Sequence, residues 1–446
     1  MSANTQDPRA LAEGLVEFGK RKGASDVEVS VEETKEFRVS VRDQSVESLQ
    51  QSDSRTLSLR VFVEGRTASA SSTDLAQETV EGLLERAVGR ARLSEPDPYA
   101  GLPEKEDLSF DESALKMYDP ETSALPAHKK VEAALKTEAA GLKDPRMKKS
   151  LGANYGSAEQ TFHLANSRGV SASYRQSGVW AGCYFQAGEG DNLIQDGWTD
   201  GSVTVSGLMA PEAIAAKAVG RVARLVGARK VETQEVPVVL EPTMTAWLLR
   251  FLSECVSGFA VARKRSFLAG KLGEPVCAPN LSVVDDGLIP GGPGTRPFDA
   301  EGVPTRRTPI LAGGVLQNYL LDTYHAKKLG LRSNGHAGGT TNLILEAGPS
   351  SPEEILKSVE KGLLLTGTLG QGTVATTGDI SVGAFGLWIE KGEIAYPVAE
   401  VTLSGNLGEI LKSVERVGSD LELRRAVAGP TVKIASLTVG GKASKA

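Results

Sequence analysis

Apolar residues recur along this chain with two different periods, and each switch of period predicts a new element. Leu11, Leu15 and Phe18 share one face of a helix that Asp7 can cap, Pro8 can open and Gly23 can stop. The runs "DVEVSVEE", "EFRVSVRD" and "TLSLRVFVEGRTASA" then alternate polar and apolar residues. That alternation predicts half-buried antiparallel strands. Asp74 with Gln77 has capping-box spacing ahead of a second amphipathic helix, "LAQETVEGLLERAVGRARL". These elements make an N-terminal α/β unit over residues 1–93.

The pattern lapses over residues 94–121, where Pro and acidic residues predict a linker or surface excursion. Residues 122–232 carry a helix through "HKKVEAALKTEAAGLK", strands on either side of a turn at Asn166–Gly169, and a helix from Pro211 to Leu225. We place the main boundary near Thr233, with a C-terminal domain over 233–446. There Thr243–Phe259 predicts a buried helix, and "TPILAGGVLQNYLL" and "GLWIEKGEIAYPV" predict hairpins. Similar hairpin signals at Gly65, Gly314 and Gly392 hint at internal duplication. Ser351, Pro352 and Glu354 form a capping box for a helix that Gly362 can end. The many glycine-marked bends leave strand edges to be covered, which predicts association through this domain.

Composition changes this picture mainly by exclusion. With 446 residues, 40% hydrophobic and 24% charged, the chain has ordinary globular character and is long enough for several units. A net charge of −6 provides no general attraction to phosphate backbones, so direct nucleic-acid binding is not expected. No apolar run reaches membrane-spanning length, and "MSANTQDPRALAEG" lacks the basic and apolar regions of a secretory signal. Cys183, Cys255 and Cys277 have no C-x-x-C spacing. The expected compartment is the cytoplasm.

Candidate chemistry is sparse. Of the four histidines, His128 and His163 have the settings of ordinary surface residues. Asp322 and His325, three apart on an expected helix, with His336 in a glycine-rich turn, form the best metal-ligand cluster available. The plainer reading is a polar helix face and a turn histidine. Neither a G-x-S-x-G elbow nor a phosphate-binding loop is present, and Cys255 has the setting of a buried inert thiol. Asp285-Asp286 and Glu353-Glu354 fit solvated faces or caps. Gly370, Gly372, Gly378, Gly383 and Gly386 crowd short strands, as the wall of a peptide groove or the bends of a curved sheet would require.

Four segments, "RPFDAEGVPTRRTPIL", "GVLQNYLLDTYHAKKLGLRSNGHAGG", "TGDISVGAFGLWIEKGEIAYPV" and "SGNLGEILKSVERVGSDLELR", occur in that order. In them the chain resembles the TldD/PmbA (TldD/TldE) family of zinc peptidases and modulators of gyrase, most specifically from about Arg265 to Gly405. The resemblance implies an α+β fold, with an N-terminal helix-flanked sheet domain and a C-terminal, mainly antiparallel β domain. In the family's catalytic branch a helix carries H-E-x-x-x-H, and a cysteine near the C-terminus adds a ligand. Laid over that motif without gaps, this chain has Leu249, Arg250 and Glu254, and no cysteine follows Cys277. Positions five apart on a helix diverge by roughly 140°, so the motif needs a widened turn to converge on one ion, and this chain offers no ligand pair to hold one.

The resemblance therefore implies the PmbA (TldE) branch, the non-catalytic subunit of a TldD/TldE-type metallopeptidase complex. In that role the chain holds no cofactor, a TldD-like partner supplies zinc, and the pair processes unfolded or short peptides. A homodimer is the other assembly the resemblance allows. Gly370, Gly372, Gly383 and Gly386 are the peptide-binding candidates. Two rival readings are a regulator of a DNA enzyme, following the gyrase connection, and a self-sufficient metallopeptidase using Asp322, His325 and His336.

Overall fold

The computed structural model describes residues 7–190 and 193–441. The N-terminal half contains α1 (Pro8–Arg21), β1 (Asp26–Arg42), β2 (Ser45–Val63), β3 (Arg66–Ser72), α2 (Gln77–Leu93), α3 (Glu112–Leu115) and α4 (Pro120–Ala124). It continues through α5 (Ala127–Leu142), β4 (Met147–Asn166), β5 (Ser171–Ala187), β6 (Ile194–Ser202) and α6 (Pro211–Ala223). All six strands form one antiparallel sheet in the order β3-β2-β1-β4-β5-β6. Strands from before and after the acidic segment thus share a single sheet, joined where β1 pairs with β4.

Side-chain alternation explains how that sheet is covered. Val27, Val29 and Val31 on β1 pack beneath α1 and α2, whereas Phe37, Val39 and Val41 on the same strand pack beneath α5 and α6. All six are odd-numbered, so both helix pairs lie on one face.

The first two expected strands are one. β1 runs unbroken through Thr34 and Lys35, and the chain reverses at Asp43-Gln44, both with positive φ. No glycine stands there to signal a turn. Instead Glu138 of α5, fully buried, accepts from the backbone amides of Asp43 (3.0 Å) and Gln44 (2.8 Å). The returning residues 45–55 are mostly polar and largely exposed, with Val46 and Leu49 too sparse to alternate, so no period marks them as strand. The Asp74–Gln77 capping box is also corrected. Ala76 precedes α2 without a side-chain cap, and Asp74 accepts from Ala76 N (3.0 Å) and Thr79 Oγ1 (2.8 Å).

The C-terminal half begins with β7 (Gln234–Leu240), α7 (Pro242–Cys255), α8 (Gly258–Ala262), β8 (Val283–Asp286), β9 (Arg307–Ala312), β10 (Val315–Leu316) and α9 (Thr323–Leu329). Then follow β11 (Leu343–Leu345), α10 (Pro352–Lys357), β12 (Lys361–Leu369), β13 (Thr373–Val374), β14 (Asp379–Glu390) and β15 (Glu393–Asn406). The half ends with α11 (Leu407–Lys412), β16 (Val414–Val417), β17 (Val427–Ala428) and β18 (Val432–Gly440). The chain is therefore α+β throughout, with antiparallel pairing dominant and two parallel contacts, β7 with β12 and β11 with β17.

Strands β7, β12, β14, β15 and β18 pair successively, and β18 returns to β7, closing a ring. Closure satisfies within this chain most of the edges expected to need a partner, leaving β13 and β16 at the margins. A second sheet, β10-β9-β8-β11-β17, shares with the ring one core built around Leu249, Phe251, Leu252 and Trp388.

Two helix ends differ from expectation for tertiary reasons. The helix expected to reach Phe259 stops at Cys255, because Leu320 N donates to Val256 O (2.9 Å) and Gly258 N to Leu320 O (2.8 Å). Gly362 does not end α10, which finishes at Lys357. It lies in β12, where a Cβ would stand 2.5 Å from the Pro237 carbonyl oxygen of β7.

The acidic segment 94–121 joins the halves. Tyr324 donates to Asp97 (2.7 Å), Arg306 to Glu106 (2.8 Å), and Gly291 N to Leu115 O (2.8 Å). The sheet face opposite the helices meets the C-terminal half at Phe298, which is fully buried among Phe110, Phe162 and Tyr174. Beside it Arg60 of β2 bridges Glu28 (2.9 Å) and Glu301 (2.9 Å).

Candidate functional site

Helix α7 fixes the site. Its apolar side, with Leu248, Leu249, Phe251 and Leu252, is sunk in the shared core. Arg250 and Glu254, one turn apart, stand on its solvent side. At its C-terminal end opens a cleft of about 650 Å³, lined by Ser253, Glu254, Ser257, Phe259, Arg265 and Leu320. Across it lie Asp322, His336, the run Gly338–Thr340, and Ala375-Thr376, which follow the marginal strand β13. Phe259 is about half exposed (49%) at the rim, with Arg263 stacked on its ring at 4.4 Å. Arg265, in the cleft, has no carboxylate partner among the described residues. The lining joins an exposed aromatic, a free guanidinium, small hydroxyl and glycine residues, and the end of a short marginal strand. It suits an extended peptide.

A buried carboxylate shapes one wall. Asp285, expected on a solvated face, is 1% exposed in β8. It accepts from Thr341 N (2.9 and 3.0 Å), Thr341 Oγ1 (2.5 Å) and His336 Nε2 (3.0 Å). Asp299 similarly gathers the amides of Glu301, Val303 and Ala337, and burial raises its carboxyl to about 6 despite those bonds. Asp285 and Asp299 thus hold the loop that carries His336 and the glycine run. The acid pair at 285–286 was the only local signal for this, and its burial depends on strands distant in sequence.

The proposed ligand cluster does not assemble. Asp322 is the N-cap of α9 rather than a residue on its face, accepting from His325 N (2.7 Å) and contacting His325 Nδ1 (2.7 Å). His336 is committed elsewhere, with Nδ1 on Asn334 Oδ1 (2.9 Å) and Nε2 on Asp285. Both of its ring nitrogens are therefore occupied. Among the described residues no group of three or more His, Cys, Asp or Glu side chains is arranged to hold a metal ion. Leu249, where the resemblance would put the first zinc ligand, has no donor atom and is buried in the core, so the residues present do not fit zinc at this helix.

His128 is exposed on α5, but His163 is not the surface residue expected: its ring nitrogens are buried without hydrogen-bond partners, and burial lowers its pKa. Burial also pushes the Cys183, Cys255 and Cys277 thiols up to about 12, which keeps them from nucleophilic work.

The candidate glycines mostly admit this chain's own strands. A Cβ at Gly386 would lie 2.1 Å from the Leu364 carbonyl oxygen, and one at Gly372 would lie 1.8 Å from that of Ser381. Gly383 is less confined, its nearest neighbour being Leu369 Cβ at 3.3 Å. Gly370 has φ +79° and open space around it.

Comparison with known proteins agrees with this geometry. Residues 27–91, 120–226 and 233–441 match the models for domain 1, the central domain and the C-terminal domain of the PmbA/TldA metallopeptidases. The chain is 34% identical over 428 residues to Metalloprotease PmbA of Escherichia coli O157:H7, covering 95% of this chain and 93% of that protein. It is 31% identical to a Metalloprotease PmbA homolog of Haemophilus influenzae, covering 99% and 98%. Among solved structures, a candidate modulator of DNA gyrase from Bacteroides thetaiotaomicron superposes with a TM-score of 0.90 at 28% identity, covering 99% of this chain and 100% of that one. TldE from Thermococcus kodakarensis shares the fold, with a TM-score of 0.87 at 23% identity over 97% and 100% of the two chains. With its layered halves, its α7 cleft and this near full-length similarity, the chain belongs to the PmbA/TldD metallopeptidase family.

Proposed function

We propose that this protein is the PmbA/TldE-type subunit of a two-chain cytoplasmic peptidase, binding unfolded or short peptides and closing the chamber in which a TldD-like partner supplies zinc. The observation that carries this reading is the solvent face of α7. Where the catalytic branch has two histidines and a glutamate, this chain has a core Leu249 and the exposed pair Arg250 and Glu254. The helix stands at the head of a peptide-sized cleft, and its solvent side offers an ion a single ligating side chain, Glu254. In this reading the peptide lies between α7 and the segment after β13, beside the strands bearing Gly370, Gly372, Gly383 and Gly386. Among the described residues β13 pairs with β14 alone, and Phe267 N donates to Ala375 O just past its end (3.1 Å), so the margin left for an added strand is short. No helix among the described residues is long and apolar enough to cross a membrane.

The test is co-expression with a TldD-like subunit, separation of the chains, and elemental analysis of each alongside a peptide-hydrolysis assay. The expected result is well below about one tenth of a zinc per copy of this chain, near one per partner chain, and hydrolysis only by the pair. Stoichiometric zinc in this chain after mild chelation, or peptide hydrolysis by it alone, would overturn the proposal.

A further inference from the structure

Beyond the cleft, the solvent face of α7 leads to a cationic seam between the two halves. Trp198 of β6 lies at its centre, with Lys217 Nζ 4.7 Å, Arg425 5.4 Å and Arg221 5.9 Å from its ring. Some of the seam's charge is answered. Arg221 pairs with Asp196 (3.0 Å) and Glu241, Arg224 pairs with Glu241 (2.8 Å), and Arg424 pairs with Asp200 (3.1 Å). Among the described residues Lys217, Arg250 and Arg425 have no carboxylate partner, and Arg425 gives its only hydrogen bond to Thr199 O (2.8 Å). This surplus of cations lies in a protein whose net charge is −6.

Two observations tie the seam to the cleft. The chain after Arg425 enters β17 and then passes Gly429, where a Cβ would touch Thr245 and Leu249 of α7, so the segment that carries Arg425 packs on the helix. Arg250, Ser253 and Glu254 follow one another at helical spacing on α7, and the last two line the cleft. Arg250 and Glu254 are therefore about 6 Å apart along the helix, the span of about two extended residues. Burial, and after it the Arg250 charge, holds the Arg425 pKa below its ordinary value, as expected of a cation short of anions.

We infer that Arg250 and Arg425, flanked by Trp198 and Lys217, form a carboxylate-binding seat that anchors one end of a peptide whose remainder lies in the α7 cleft. Guanidinium pairs match the planar geometry of a carboxylate, and the indole provides an apolar wall for the residue that carries it. The inference rests on the peptide-binding reading above. It adds a chemical requirement, a free C-terminal carboxylate or an acidic side chain, at a place where the catalytic branch carries its general base.

The test uses the full chain, alone and co-expressed with a TldD-like subunit, and three fluorescent versions of one short unstructured peptide. One has a free C-terminus, one is amidated, and one is amidated with Glu replacing a Gln. Binding is followed by anisotropy at low salt. At least one carboxylate-bearing version should bind roughly ten-fold tighter than the plain amide, and the free-acid and Glu arms identify the source. Arg250→Gln should remove most of that preference and Arg250→Lys should restore part of it. Arg250 makes no hydrogen bond with its side chain, so its loss leaves the fold intact, while Arg425→Gln checks the second cation. Equal binding of all three peptides, or a preference unchanged in Arg250→Gln and Arg425→Gln, overturns the seat and leaves the peptide-binding reading standing. Binding of none overturns both.

Discussion

At the residue scale, buried carboxylates and crowded glycines set the sharpest expectations. Burial raises the Glu28 carboxyl to about 7, against the pull of Arg60, from an ordinary value of 4.5. The folded protein therefore binds a proton there more tightly than the unfolded chain does. This stabilisation is complete below about pH 4.5 and is lost as pH rises through about 7. Glu28→Gln should flatten the loss of stability between about pH 5 and pH 8 by about 3 kcal/mol, with Arg60 still held by Glu301. Denaturant titrations across that range would show it, and parallel pH profiles for the two proteins would refute it. The glycines separate in the same way. Gly386→Ala forces a methyl group against the Leu364 carbonyl and should cost about 3 kcal/mol or more, whereas Gly383→Ala, facing the Leu369 side chain, should cost about 1 kcal/mol or less. Equal midpoints in urea would contradict that ordering.

At the element scale, the β1–β2 hairpin shows how a neighbouring helix can decide a turn. Glu138 receives Asp43 N, Gln44 N, the Gln44 side-chain amide and Ser150 Oγ. Glu138→Leu leaves the buried Ser150 hydroxyl unpaired and turns the Asp43 and Gln44 amides over to water, so stability should fall by about 1–3 kcal/mol. Hydrogen exchange should show the amides of Asp43 and Gln44 losing protection before the remainder of β1, and uniform loss across the sheet would argue against this local role. The other hairpins needed no such help. Glu64-Gly65, Gly313-Gly314 and Lys391-Gly392 all take positive φ at both turn positions, which matches the twist of their strands. They belong to three different sheets, so turn chemistry explains their likeness without internal duplication.

At the scale of the whole molecule, the two halves are held by the acidic strap, the Arg60 bridge and the aromatic group around Phe298. Phe298→Ala should cost about 3–5 kcal/mol. Because Phe298 packs between halves with separate cores, calorimetry should resolve two transitions where the parent shows one. A single transition merely shifted to lower temperature would mean the halves unfold together without relying on this contact. The α7 cleft and the seam lie in the C-terminal half and between the halves, so under the proposed function this variant should also weaken peptide binding.

Local pattern by itself determined the longer helices, most of the strands, the glycine hairpins and the character of α7, since periodicity and turn chemistry are written in neighbouring residues. That Leu249 can offer a metal no donor atom was equally plain, since this holds in any fold. Tertiary structure alone decided what depends on residues distant in sequence. It merged two expected strands into β1, made the Asp43-Gln44 turn on Glu138, closed the C-terminal strands into a ring and buried Asp285 beneath Thr341 and His336. It also committed His336 to Asn334 and Asp285 and Asp322 to His325, and brought Trp198 of one half to Arg425 of the other. The physical reason is common to all of these. A polar residue has the same local signature whether it faces water or a buried partner, and only the completed packing supplies that partner.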